Sequence, residues 1–313
     1  MSSGFSHRPV MVDEVVDVMR PVPPGWLVDA TVGGGGHAAA ILRALPHLSV
    51  LGLDRDGDAL AAATAALEPF GSRAQLHRVR FDALGDVMEA AQMEQLSGAL
   101  FDLGVSSPQL DRAERGFSYR GDAPLDMRMD RRQQHSAADV VNGADEAELR
   151  RILRTFGDER HAARIAKAIV AARPIATTGR LADVVRDAIP APARRRGGHP
   201  AKRTFQAIRI EVNGELDALP VALDTAIERL APGGRCAVLS YHSGEDRIVK
   251  DRFRNAATGG CTCPPGMPCV CGATAIVREL RPLKRRPSAA DVAANHRAES
   301  AVLRVVEKLE VAS

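Results

Sequence analysis

Val28-Asp29-Ala30-Thr31-Val32-Gly33-Gly34-Gly35-Gly36-His37 sets an apolar strand directly against four consecutive glycines, and the Ala-rich segment behind them suits a helix. Glycine lets the backbone take positive φ and approach a ligand closely, and the unpaired N–H groups that open a helix favour a polar or anionic group. The stretch therefore reads as a nucleotide-binding turn. A second apolar run, Ser49-Val-Leu-Gly-Leu53, ends in Asp54 eighteen residues beyond Gly36. That is close to the spacing at which an acidic side chain meets ribose hydroxyls in doubly wound folds. Together the two point to an adenosine-bearing cofactor. The glycines alone do not select one, because Gly33-x-Gly35-x-x-Ala38 fits a dinucleotide fingerprint as well as a methyl-donor turn, and a structural turn would look the same. No Gly-Lys-Ser/Thr follows, which argues against a P-loop.

The 313 residues are long for one core, so either one large domain with an insertion or two domains is expected. With 42 basic and 39 acidic residues the net charge is only +3, so contact with nucleic acid has to come from local patches. The N-terminal Met1-Ser-Ser-Gly-Phe-Ser-His-Arg lacks the apolar core of a signal peptide, and no apolar run approaches the length of a membrane span. A cytoplasmic protein is expected. Five cysteines, an odd number without an export signal, favour reduced thiols or a metal site over a disulfide framework.

Strand candidates recur at Trp26–Ala30, Val50–Leu53, Gln75–Val79, Ala99–Leu103, Cys236–Ser240 and Ala301–Val306, with helical segments between several of them. This alternation predicts an α/β fold with a parallel sheet covered by helices on both faces. The gap from Leu103 to Gly234 is too long for one crossover connection and implies a separate helical insertion. Within it, Leu149, Ile152, Leu153 and Phe156 fall at helical spacing, as do Ile165, Ala168, Ile169 and Ala172, with Arg160, Arg164 and Lys167 along an adjoining stripe. Asp183–Ile189 reads as a weaker helix ended by Pro190. The following Arg194-Arg195-Arg196-Gly-Gly-His-Pro-Ala-Lys202-Arg203 carries no acidic residue. It is either a phosphate-contacting loop or a solvated basic surface. Glu215–Leu230 predicts the helix that returns the chain to the sheet, and Ser288-Ala-Ala-Asp291 resembles a capping box.

Several segments together resemble one known family: His7-Arg-Pro-Val-Met-Val-Asp-Glu14, Gly33–His37, Asp102-Leu-Gly-Val-Ser-Ser-Pro-Gln-Leu-Asp111 and Arg115-Gly-Phe-Ser118. To these add Pro124-Leu-Asp-Met-Arg-Met-Asp130, Phe156-Gly-Asp-Glu-Arg-His161 and Arg203-Thr-Phe-Gln-Ala-Ile-Arg-Ile-Glu-Val-Asn213. The chain resembles the bacterial ribosomal RNA small subunit methyltransferase H family over nearly its whole length. The resemblance implies a class I, Rossmann-like S-adenosylmethionine-dependent methyltransferase sheet over residues 1–106 and 214–313, with an inserted helical substrate-recognition domain over 107–213. It implies methylation of the exocyclic N4 of a decoding-centre cytosine in 16S rRNA, with S-adenosyl-L-methionine as cofactor and 16S rRNA or the small ribosomal subunit as partner. It also implies that Gly35, Gly36 and His37 line the amino-acid end of the cofactor and that Asp54 holds the ribose hydroxyls. Phe81 and Asp102 would flank the adenine and methyl-donor region, and Gln109 would close the site. Three places depart from the family pattern: Gly214, where a larger polar residue is usual, Tyr241-His-Ser-Gly244, and Asn295-His-Arg-Ala-Glu-Ser300.

Methylation of an amino group by a sulfonium is an in-line displacement, so positioning is most of the catalysis. The cytosine amine is a poor nucleophile, and an acceptor for one of its N–H groups should localise the lone pair. Asp102, at the end of a strand, and the carbonyls of the following Leu103–Pro108 loop are the candidate acceptors; a helix-capping role is the alternative for Asp102. His242 is the second catalytic candidate, against an ordinary hydrogen-bonded loop histidine. Tyr241 could stack on a flipped base or simply pack. Methylation at ring carbon C5 needs a cysteine nucleophile at the site, yet Cys236 falls inside a strand. The other four, Cys261-x-Cys263 and Cys269-x-Cys271, sit among prolines and glycines; a zinc clip is one reading, but the usual two-residue spacing is absent, and no metal is assigned. Arg194, Arg195, Arg196, Lys202 and Arg203 are the candidate RNA contacts. Two rivals remain at this point, a nicotinamide-dependent oxidoreductase and a non-catalytic ribosome-assembly factor. A homodimer is left open.

Overall fold

The computed structural model describes residues 9–194, 198–264, 270–282 and 284–310. In chain order the first half of the sheet unit runs α1 (Val12–Met19), β1 (Gly25–Asp29), α2 (Gly36–Ala44), β2 (Leu48–Asp54), α3 (Gly57–Leu67), β3 (Ala74–Arg78), α4 (Leu84–Ala90) and β4 (Leu96–Asp102). A helical run follows: α5 (Ser107–Asp111), α6 (Ala137–Gly143), α7 (Glu146–Gly157), α8 (Ala162–Ala171), α9 (Thr178–Ala188), α10 (Ala191–Arg194) and α11 (Lys202–Asn213). The chain then completes the sheet through α12 (Glu215–Arg229), β5 (Leu230–Ser240), α13 (Ser243–Thr258), β6 (Val277–Glu279), α14 (Ala289–Ala294) and β7 (Val302–Lys308). It divides into two compact units, Met1–Gly104 with Leu216–Ser313, and Val105–Glu215. Among the described residues no helix is long and apolar enough to cross a membrane.

The sheet has seven strands in the order β3-β2-β1-β4-β5-β7-β6. From β3 to β5 every neighbouring pair is parallel. The wholly parallel sheet expected from sequence is corrected at one end, because β7 runs antiparallel to both β5 and β6. The reason is topological. Helix α13 carries the chain back so that β6 runs in the same sense as β5, and β7, reached through α14 and a 3-10 turn over His296–Ser300, fills the gap between them running the other way. Strand β6, three residues long, is too short to show a period and was not among the expected strands.

Central strands read as unbroken apolar runs because both faces are covered; in β4 every residue from Leu96 to Phe101 is buried. Alternation still sorts the side chains. Leu27, Leu100 and Leu239 join α1, α2 and α3 through Val15, Met19, Ile41 and Leu67, while Val28, Ala99, Phe101 and Val238 join α4, α12 and α13 through Met88, Leu223 and Phe253. This is the three-layer α/β sandwich of a Rossmann-like sheet. The helical unit has its own core, built from Leu149, Ile152, Ile165, Ile169, Leu181, Val185, Phe205 and Ile208. Helix α9 begins at Thr178, five residues before the expected start, because the Thr177 hydroxyl caps it by accepting the Arg180 N–H at 3.3 Å.

Candidate active site

Strands β1, β2 and β4 each end in an aspartate, Asp29, Asp54 and Asp102. Strand order reverses beside β1, whose neighbours are β2 and β4, so these carboxyls stand where open α/β sheets bind ligands. Their environments differ. Asp29 is fully buried and accepts the Thr31 N–H at 3.3 Å. Burial pushes its carboxyl up to about 8 against the opposing Thr31 N–H, and the charges of Asp102 and Asp54 add to the rise. At neutral pH its carboxyl is mostly protonated. Asp54 gives one oxygen to the Gly33 N–H at 2.9 Å and the other to the Asp56 N–H at 2.8 Å, which ties the glycine turn to the end of β2. Burial raises its pKa, and those two backbone donors lower it.

Asp102 is held from three sides. Its Oδ1 accepts the Tyr241 hydroxyl at 2.7 Å, its Oδ2 lies 3.5 Å from His37 Nδ1, and its backbone N–H donates to Thr31 Oγ1 at 2.6 Å. Its side chain keeps 26% of its surface exposed, against 6% for His37. His37 Nε2 in turn donates to the Val10 carbonyl at 3.0 Å. Burial and the neighbouring Asp102 charge hold the Tyr241 pKa well above the ordinary phenol value, so the hydroxyl keeps its proton. The glycine turn needs its glycines: Gly33 and Gly35 have φ of 53° and 83°, and a Cβ on Gly35 would stand 3.2 Å from Ala63 Cα. A Cβ on Gly36 would stand 2.6 Å from Pro9 Cγ, whereas among the described residues a Cβ on Gly33 would meet only the Thr31 carbonyl oxygen, at 3.8 Å.

His242 lies at the N-terminus of α13. Its Nδ1 accepts the Gly244 and Glu245 N–H groups at 3.2 and 3.3 Å, which makes it the helix cap. Glu245 is buried and reaches back to accept the Tyr241 and His242 N–H groups at 2.7 and 3.2 Å. His242 Nε2 packs 3.1 Å from the other Glu245 oxygen but makes no aligned hydrogen bond. This reciprocal arrangement fixes the backbone that presents Tyr241 to Asp102. Phe81 is half-buried just before α4, edge-on to Phe101 with centroids 6.2 Å apart.

The remaining expected residues belong to the helical unit. Gln109 is buried, and its side-chain oxygen accepts the Ser106 N–H at 3.0 Å in a capping box on α5. Arg194 folds back on the end of α9, donating to the Ile189 and Asp187 carbonyls at 2.7 and 3.2 Å. Arg203 donates to the Asp158 carbonyl at 2.6 Å. Lys202 is exposed, and Arg195 and Arg196 lie outside the described residues. Arg160, Arg164 and Lys167 are all exposed along one face at the start of α8. Two residues of the quoted motifs brace the backbone of this unit. Arg115 donates to the Arg128 and Met129 carbonyls at 3.0 and 3.1 Å, and Asn213 grips Met127 and Met129 through their backbones at 2.8 and 2.9 Å.

The sequence matches the family described as MraW methylase over residues 4–309. The chain belongs to the MraW methylase family. This methylase is 51% identical over 312 residues to the ribosomal RNA small subunit methyltransferase H of Symbiobacterium thermophilum, covering 98% of both chains. It is 52% identical over 311 residues to the protein of the same name from Heliobacterium modesticaldum, covering 97% of this chain and 99% of that one. The solved putative rRNA methylase of Clostridium thermocellum aligns over 96% of this chain and 98% of its own, at 12% identity and a TM-score of 0.45. These relatives give no support to an oxidoreductase or to a non-catalytic factor.

Sequence reading of this methylase missed three features of its sheet edge. The Tyr241–Asp102 bond joins residues 139 apart in sequence and has no local signal. Glu245 follows His242 at the spacing of a capping box, a signal that was there to be read. Asp29 was quoted only as part of the strand, although its place at the strand end is visible once Asp54 and Asp102 are aligned with it.

Proposed function

We propose that this methylase transfers a methyl group from S-adenosylmethionine to the exocyclic N4 of a decoding-centre cytosine in 16S rRNA. The observation that carries the reading is Asp102, a partly exposed carboxylate fixed by Tyr241 at 2.7 Å and faced by His37 at 3.5 Å, two residues past Leu100, the β4 partner of Asp29 at the end of β1. S-adenosylmethionine, when bound, supplies an electrophilic methyl carried on a positively charged sulfur. The glycine turn fits it, since among the described residues little crowds Gly33 and the N-terminus of α2 follows directly at Gly36. Gly35, Gly36 and His37 would line its amino-acid end, Asp54 would receive the ribose hydroxyls on its remaining lone pairs, and Phe81 would pack beside the adenine.

Asp102 accepts an N–H of the cytosine amine, localises the lone pair and takes the proton as the N–C bond forms and the methyl–sulfur bond breaks, its electron pair staying on sulfur. Tyr241 is the positioning residue that holds the carboxylate in one rotamer, while His37, whose Nε2–H is taken by the Val10 carbonyl, packs against the other oxygen. Fixing both reactants in attack geometry can supply about 7–11 kcal/mol of the barrier, and a placed base a further factor of about 10²–10⁴. The exposed cations Arg160, Arg164, Lys167 and Lys202 would contact RNA phosphates from the helical unit. The test is transfer of labelled methyl to small-subunit RNA and to assembled small subunits, followed by nucleoside analysis. Label in N4-methylcytidine is expected; no transfer to either substrate, or label on another atom, overturns the proposal.

A further inference from the structure

The described residues of the segment joining α13 to β6 have no buried apolar side chain to hold them. No described residue from 259 to 276 is buried, and Val270 is 89% exposed. Its base is pinned by backbone bonds, Gly260 N–H to the Asn255 carbonyl at 3.0 Å, Cys261 N–H to Thr258 at 3.2 Å and Ile276 N–H to Ala256 at 3.0 Å. Above that base the loop brings three thiols together. The Sγ atoms of Cys261, Cys263 and Cys271 all lie within 4.8 Å of one another, and those of Cys261 and Cys271 are 3.6 Å apart. A disulfide would need about 2.0 Å. A tetrahedral ion with S–metal bonds of about 2.3 Å sets its sulfurs about 3.8 Å apart. The group contains no carboxylate, which excludes hard cations such as Mg²⁺ or Ca²⁺ in favour of a thiophilic one.

We propose that Cys261, Cys263 and Cys271 bind one zinc ion, which staples the loop between α13 and β6. Sequence spacing spoke against such a site because neither Cys-x-Cys pair has the usual two-residue gap. The fold supplies what spacing lacks by returning Cys271 to Cys261. Each ligating thiol gives its proton to solvent, and the ion stabilises a segment whose ordering no hydrophobic burial offsets.

The full-length chain, purified in reductant without chelator, should carry about one zinc per chain by elemental analysis. Replacing zinc with cobalt should give a thiolate-to-metal charge-transfer band and tetrahedral ligand-field bands. The Cys261→Ser, Cys271→Ser double variant should lose both zinc and bands, whereas Cys236→Ala, altering the buried thiol of β5, should keep them. Chelation of the wild type should expose the loop to limited proteolysis. Three outcomes overturn the proposal: reduced wild-type protein that takes up neither metal, unchanged metal content in a double variant whose circular dichroism is native, or a Cys261–Cys271 disulfide forming in place of metal uptake.

Discussion

Asp102, Asp54 and Asp29 are the same residue type at equivalent strand ends, and their surroundings give them different work. Asp102→Asn keeps the shape and the Tyr241 contact but removes the proton acceptor. We expect kcat to fall by about 10²–10⁴ with S-adenosylmethionine affinity and melting temperature little changed. Isothermal titration and single-turnover kinetics check it, and equal loss of binding and rate would place Asp102 in cofactor binding instead. Asp29 predicts a pH effect of opposite sign to the usual carboxylate. Its pKa rises from 3.8 to about 8 on folding, so across that window the folded chain holds a proton that the unfolded chain releases. Stability therefore falls as pH rises, by up to about 1.4 kcal/mol per unit, and levels off above the folded value. Asp29→Asn should remove that slope, so that its stability relative to wild type grows between about pH 5 and about pH 8 in denaturant titrations. Asp54 and Asp102 were legible in the sequence because strand, turn and acid are local; the neutral state of Asp29 was not, since it depends on burial and on two neighbours brought in by other strands.

Helix α13 shows how capping and catalysis share a loop. His242 was expected to touch the base, and the structure places both of its nitrogens against α13 and Glu245. His242→Ala should cost about 1 kcal/mol as a lost cap, a fall of roughly 2–4 °C in melting temperature. The rate should drop far less than in Asp102→Asn, and a loss of comparable size would give the imidazole a chemical role. Gly214, which departs from the family pattern, ends α11 at φ 57°, a conformation that glycine meets without strain. Elements with strong period or punctuation, such as α7, β2 and the glycine turn, were readable. Those set by tertiary fit were not: β6 is three residues long, α9 starts at a threonine cap, and the reversed β7 follows from topology.

The molecule is nearly neutral overall, so RNA affinity has to come from local surface charge. The described structure redistributes the expected basic loop: Arg194 and Arg203 serve carbonyls of their own unit, while Arg160, Arg164, Lys167 and Lys202 stay exposed. Replacing Arg160, Arg164 and Lys167 by Ala should weaken RNA binding and flatten its dependence on log salt by about 0.7–0.9 per lost phosphate contact. An unchanged slope in filter-binding titrations would return that stripe to solvent. Arg194→Ala should lower melting temperature and leave the slope alone. One further consequence lies in the order of synthesis. Ala99 on β4 pairs with Cys236 on β5, and all of Val105–Glu215 is made between them. At ribosomal speed the growing chain waits on the order of ten seconds with one flank of β4 bare, an interval in which a nascent-chain chaperone would find its target.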